Sequence, residues 1–209
     1  MRKIMRKVLA FSILLYILIF VSSCGYSSQN SNNIVANDDI IQLKGFSVCT
    51  DSSSMVTSAE GTVYVRGKDK PESVQIIAYI QIDPNDWGGV SFNFTDGWSI
   101  TGITSSYPEK DTHVVPKDFV TRWTTADSEV EWNKFVEIGR DRSYVPTGGG
   151  TGTVVIDLVP NKNTSQNIKT FRCLVGVGGH EKNGVKIMNP DYITVELPLT
   201  KEKKQASSE

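Results

Sequence analysis

This chain of 209 residues is poor in the side chains on which most enzymatic chemistry depends. It has two histidines, His113 and His180, and neither has a His, Cys or acidic residue at i+2 or i+4, the kind of spacing zinc sites show. No G-x-S-x-G occurs, so the elbow that presents a nucleophilic serine is missing. Basic residues do not outnumber acidic ones, 22 against 23, and no basic stripe is present for nucleic acid. Asp83-Pro84-Asn85-Asp86, and Glu137 with Asp141, offer oxygen ligands, but neither has calcium-loop spacing. Turn chemistry explains the first of these without a metal. Helix formers are sparse outside the C-terminal tail, and there is no internal repeat. The expectation is a protein without catalytic residues, metal or cofactor, and with no nucleic-acid partner.

There is one long apolar run, Val8 to Val21, 14 residues broken only by Ser12 and Tyr16. It comes after Arg2, Lys3, Arg6 and Lys7 with no acidic residue between, the pattern of a secretory signal peptide. The positive end stays cytoplasmic, so the chain beyond the apolar run is exported. An uncleaved anchor would need about 20 apolar residues to span a bilayer, and Ser22, Ser23 and Cys24 end the run short of that.

Val21-Ser22-Ser23-Cys24 resembles the lipobox of bacterial lipoproteins, an aliphatic residue and two small residues before a cysteine. The resemblance covers the first 24 residues. It implies cleavage before Cys24, a thioether-linked diacylglyceryl group on Cys24, and acylated anchoring of the new N-terminus. Two acyl chains hold a protein at a membrane where one does not. The expected location is the extracytoplasmic face of the cell membrane. Loss of residues 1–23 removes four basic residues and leaves a charge of 18 − 23 = −5.

Residues 24–39 are then a lipidated tether, because GYSSQNSNNIVANDD is polar and without period. Residues 201–209, KEKKQASSE, form a charged frayed tail. Between them, 40–200 is one domain, and apolar residues in it alternate with period two. Val63 and Val65 share a face, as do Val74, Ile76, Ala78, Ile80 and Ile82. The pattern returns in Val90, Phe92 and Phe94, in Trp98 and Ile100, and in Val154, Ile156 and Leu158. It closes with Phe171, Cys173, Val175 and Val177, then Ile193, Val195, Leu197 and Leu199. Short alternating segments between Gly, Pro, Asn and Asp turns predict an all-β sandwich of eight to ten antiparallel strands. The stretch from Tyr107 to Gly150 is less regular. Ser128-Glu129-Val130-Glu131 fits a helix capping box, but Val130, Trp132, Val136 and Ile138 fit a strand, and strand or irregular loop is the preferred reading.

The order of VQIIAYIQID, VSFNF, WSITGITSSY, TGTVVIDLV and KTFRCLVGVG resembles the jelly-roll or Ig-like sandwiches of cohesins and carbohydrate-binding modules. The likeness is one of pattern over roughly 100 residues. It implies a sandwich scaffold and leaves the function open.

Thr147-Gly148-Gly149-Gly150-Thr151-Gly152-Thr153 has the glycine content of a phosphate loop, but it runs into Val154-Val155-Ile156, a strand, and a motif counts only in context. No nucleotide partner is expected. Cys49 and Cys173 could form a disulfide in an oxidising compartment. Their phase argues the other way: Cys173 lies with Phe171 and Val175, whereas Cys49 is out of phase with Phe46 and Val48. Trp98 and Trp132 are in phase with core positions. Trp87, in Asp-Trp-Gly-Gly, and Trp123, between Arg122 and Thr124, are candidate exposed binding residues, with Tyr107 and Tyr144 beside them. The segment from Glu137 to Pro146, EIGRDRSYVP, is either a polar binding loop or an ion-pair fastening, with the fastening preferred. The function these features point to is a lipid-anchored extracytoplasmic binding module for a glycan or an envelope protein. The competing readings are a cell-envelope hydrolase with an acidic pair not identifiable from sequence, and a structural or assembly lipoprotein.

Overall fold

The computed structural model describes residues 39–51, 55–68, 70–109, 119–127, 129–161 and 169–199. Cys24, the signal segment, His113 and the C-terminal tail lie outside the described residues, as do all but Asp39 of the tether. Ten strands run in order: β1 Ile40–Cys49, β2 Ser58–Arg66, β3 Ser73–Ile82, β4 Val90–Phe94, β5 Trp98–Ser105, β6 Val120–Thr124, β7 Lys134–Ile138, β8 Gly150–Pro160, β9 Thr170–Lys182 and β10 Val185–Pro198. They form two five-stranded sheets, β1-β2-β3-β8-β5 and β10-β9-β4-β7-β6, every pairing antiparallel. The fold is an all-β sandwich. No α-helix occurs among the described residues, so the capping-box alternative near Glu129 is not realised.

Period two does the sorting. Val74, Ile76, Ala78, Ile80 and Ile82 of β3 face inward with Val154, Ile156 and Leu158 of β8, all buried. Val90, Phe92 and Phe94 of β4 and Phe171, Cys173, Val175 and Val177 of β9 meet them from the other sheet. Two edge-to-face aromatic pairs join the layers: Phe46 with Phe92 at 6.4 Å and Trp98 with Phe171 at 5.2 Å. Such pairs contribute about 0.5–1.5 kcal/mol beyond the area they bury. One side of the sandwich is closed by β1 against β10, where Lys44 Nζ donates to Glu196 O at 3.2 Å.

Cys49 and Cys173 are both free thiols, which corrects the disulfide alternative. The reason is parity. Cys49 ends β1 on the outer face and is exposed, whereas Cys173 lies inward and is fully buried. Its apolar surroundings push the Cys173 thiol far above its ordinary pKa.

Candidate functional site

The four aromatic candidates converge on one segment, residues 139–147, but they do not share one role. Asp86 fixes the turn before Trp87. Its carboxylate, wholly buried, accepts from Thr57 Oγ1 at 2.6 Å, Gly88 N at 2.7 Å and Gly89 N at 3.2 Å. Burial raises its pKa, and those donors pull the other way. Trp87 then lies flat over Gly179, where a Cβ would come within 2.5 Å of the ring. It is therefore only 7% exposed, which corrects the expectation of a free loop tryptophan. Tyr107 is also corrected, being wholly buried edge-on to Phe119 at 5.6 Å in space left by Gly139, Gly150 and Gly152.

Tyr144 and Trp123 keep access to solvent. Tyr144 sits in the left-handed region (φ 62°), is 44% exposed, and meets the Trp87 edge at 4.9 Å. Lys186 Nζ lies 5.8 Å from the Trp87 centroid and 5.6 Å from that of Tyr144, and it pairs with Glu181 at 2.6 Å. Trp123, half-buried, stacks on Phe135 at 3.8 Å and 7°, with the Arg142 guanidinium 5.4 Å above its ring. Trp98 is in the core, while Trp132 is half-buried beneath Arg172 at 5.4 Å.

Glu137 anchors the segment. Its side chain is 1% exposed and takes an ion pair from Arg140 and another from Arg142 at 3.3 Å. The charges of EIGRDRSYVP are thus spent internally, as a fastening. The glycines at 148, 149 and 150 have positive φ and lead straight into β8, so no helix N-terminus stands behind them.

A more open groove lies elsewhere. On the outer face of β1-β2-β3-β8-β5, an open groove of ≈ 400 Å³ is lined by Gly45, Phe46, Glu60, Gly61, Thr62, Tyr64, Ile77 and Tyr79. Gly45 leaves its floor low, with only Gly61 O within 4 Å of where a Cβ would lie (3.7 Å), whereas Gly61 belongs to the inward set with Ala59 and Val63 and packs against Ala78 and Phe46. Tyr79 is 44% exposed and Ile77 38%. Beside them Arg66 Nη2 donates to Gln75 Oε1 at 3.2 Å, and Gln75 Nε2 to Asp157 Oδ1 at 2.9 Å. Tyr79 stands opposite Glu60 and Tyr64 opposite Gln75. The four-residue offset separates the rings by roughly 13 Å along the strand.

Neither Tyr64 nor Tyr79 is among the candidates singled out from the sequence. The signal was available. Tyr64 lies between Val63 and Val65, and Tyr79 between Ala78 and Ile80, so period two turns both outward.

A second groove, ≈ 320 Å³, is lined by Asp96, Thr125, Ala126, Asp127, Val130, Glu131 and Asn133. Its carboxylates are engaged. Asp96 pairs with Lys134 at 2.8 Å, which lowers its pKa, Glu131 pairs with Arg172, and Asp127 Oδ1 accepts from Glu129 N at 2.9 Å. Among the described residues no group of three or more His, Cys, Asp or Glu could hold a metal ion.

No protein-family model matches the sequence, and no curated protein matches it. Solved structures similar to it include the collagen-binding subdomain of the Enterococcus faecalis surface protein ACE, at 11% identity and TM-score 0.32 over 59% of this chain and 87% of that one. Another is the collagen-binding domain of a Staphylococcus aureus adhesin, at 10% identity and TM-score 0.32 over 63% and 89%. A third is a Streptococcus parasanguinis structure concerned with pH-induced modulation of adhesion by fimbriae, at 8% identity and TM-score 0.31 over 77% and 98%. The sandwich stands on this chain's own strand ladders, and no residue role is carried over from these proteins.

Proposed function

We propose that this protein is a lipid-anchored binding module of the extracytoplasmic face, held by Cys24, which takes a glycan chain along the outer face of β2 and β3. The observation that carries this reading is the pair of outward tyrosines, Tyr64 and Tyr79, on an open groove lined between them by Gly45, Gly61 and Thr62. Flat rings offer faces on which the C–H side of a sugar can lie. The Gln75–Asp157 ladder and Glu60 add hydroxyl-binding groups along the same face. The ring spacing suits a ligand of several linked units. Glu60 and Asp157 are carboxylates, and Arg66 is already committed to Gln75, so a neutral or basic polymer is favoured. A hydrolase would need two poised carboxylates about 5–10 Å apart, and the acid-lined groove has its carboxylates bound.

Co-sedimentation with insoluble cell-envelope polysaccharide tests the reading. The wild-type protein pellets with the polymer, and Tyr64→Ala with Tyr79→Ala weakens binding by at least about tenfold, as the loss of two aromatic anchors should. Unchanged binding in the double variant overturns it. Capture of an envelope protein without polysaccharide replaces it with the protein-partner reading. A free thiol at Cys24 in the mature protein, seen by mass spectrometry, removes the anchor from the account.

A further inference from the structure

The opposite outer face, that of β10-β9-β4-β7-β6, carries a different polar feature. Strand register sets one row of outward residues as Thr121, Glu137, Ser91, Gly176 and Tyr192. The next row is Trp123, Phe135, Asn93, Leu174 and Thr194. Ser91 and Gly176 are the small residues at the centre of the first row. A register shift between Met188 and Asp191 and a left-handed backbone at Asn189 (φ 47°) place the Asn189 side chain over them. A Cβ on Gly176 would lie 2.6 Å from Asn189 Cβ, 3.1 Å from its Cγ and 3.3 Å from Ser91 Oγ.

The polar groups gathered there are buried and unused. Ser91 is 1% exposed, and Asn93 and Asn189 are 8% each. Ser91 Oγ, Asn93 Oδ1 and both polar atoms of the Asn189 amide make no hydrogen bond, and neither do Arg140 Nε and Trp123 Nε1 at the rim. Leaving such groups unpaired forfeits their hydration without replacement, and native proteins seldom retain several together. Glu137 does not serve them, because its carboxylate is occupied by Arg140 and Arg142.

We propose that this cluster of unpaired polar groups, opened by displacement of the Asn189 side chain from Gly176, is a binding site for a pendant acetamido group, the N-acetyl substituent of an amino sugar. A carboxamide such as Asn189 offers a donor and an acceptor side by side, the complement of another amide. Its Nδ2–H₂ and the Ser91 hydroxyl donate to the ligand carbonyl, while Asn189 Oδ1 or Asn93 Oδ1 accepts from the ligand N–H. Leu174, half-buried in the adjoining row, supplies apolar surface for the methyl. A peptide main chain would need room on both sides of its amide, and the register sets Glu137 beside Ser91 and the Trp123–Phe135 stack beside Asn93. Entry is by movement of the two most exposed side chains at its flanks, Arg142 (59%) and Tyr192 (62%). This site lies on the other sheet from the tyrosine groove. It rests on the proposed function only in taking a sugar as ligand.

Titration of the full mature protein with N-acetylglucosamine, monitored by NMR, tests the inference, with glucosamine, glucose and N-acetylglycinamide titrated in parallel. N-acetylglucosamine gives saturable shifts at Ser91, Gly176 and Asn189, and glucose and glucosamine do not. Asn189→Gly keeps the left-handed backbone, removes the amide, and weakens binding by roughly tenfold or more, the scale of one or two lost buried hydrogen bonds. The Tyr64→Ala/Tyr79→Ala protein keeps this response even where it no longer binds polymer, which separates the two sites. No saturable shift, or a response unchanged in Asn189→Gly, overturns the inference. Equal binding of N-acetylglycinamide overturns the sugar and makes the site one for peptide amides.

Discussion

Replacing Glu137 with alanine separates a fastened segment from a free binding loop. Glu137 is 1% exposed, and its two partners differ: the Arg140 side chain is 16% exposed and that of Arg142 is 59%. The Arg142 arm is close to a surface ion pair, worth about 0–1 kcal/mol. The Arg140 arm is the costly one to break, because loss of the carboxylate leaves a largely buried guanidinium unpaired, at about 3–5 kcal/mol. With a urea slope of about 2 kcal/mol per molar, the unfolding midpoint of Glu137→Ala should fall by about 1.5–2.5 M. Arg142→Ala should move it by less than about 0.5 M on the same slope. The double variant Glu137→Ala/Arg140→Ala should recover part of the loss, with a coupling of at least about 1 kcal/mol. Equilibrium urea unfolding monitored by tryptophan fluorescence reads all three. A loss below about 1 kcal/mol in Glu137→Ala, or strict additivity in the double variant, would refute the fastening and return the segment to solvent.

The burial pattern sets two further outcomes. In the native protein a maleimide should label Cys49 and leave Cys173 unmodified until denaturant is added, since burial keeps Cys173 as an inaccessible thiol; rapid labelling of both under native conditions contradicts the packing. Asp86 has a folded pKa raised above its unfolded value, so between the two the folded state holds the extra proton, and the contribution of this group to stability grows as pH falls through that window. Asp83 and Asp96 act in the opposite sense, since both are lowered, Asp83 chiefly by the Asn85 N–H and Asp96 by Lys134. The stability advantage of wild type over Asp86→Asn should therefore widen from pH 7 toward pH 4 in denaturant titrations, and a narrowing would reverse the assignment.

How much of this was legible in the sequence depends on the range of the interaction. The alternation of Val74 to Ile82 and of Phe171 to Val177 is local, and it assigns the inward faces of β3 and β9 directly. The same rule turns Tyr64 and Tyr79 outward, but a tyrosine within a strand carries no turn signal that sets it apart from any other solvent-facing residue. The burial of Trp87 could not be read locally, because it depends on Gly179, 92 positions later in the chain, leaving room for the ring. Tyr107 likewise needs Gly139, Gly150 and Gly152. The Glu137 fastening lies within five residues and was legible as a charge cluster. The Asn189 side chain over Gly176 depends on a bulge in β10, which no local pattern announced.

The central claim is that the outer face of β1-β2-β3-β8-β5 holds the ligand. NMR shift mapping of the isotopically labelled mature protein with soluble fragments of cell-envelope polysaccharide tests it most directly. The account predicts perturbations centred on Gly45, Gly61, Tyr64, Ile77 and Tyr79 and absent from the Trp87–Tyr144 end. Perturbations confined to the Trp87–Tyr144 end, or none at saturating polysaccharide, would contradict it.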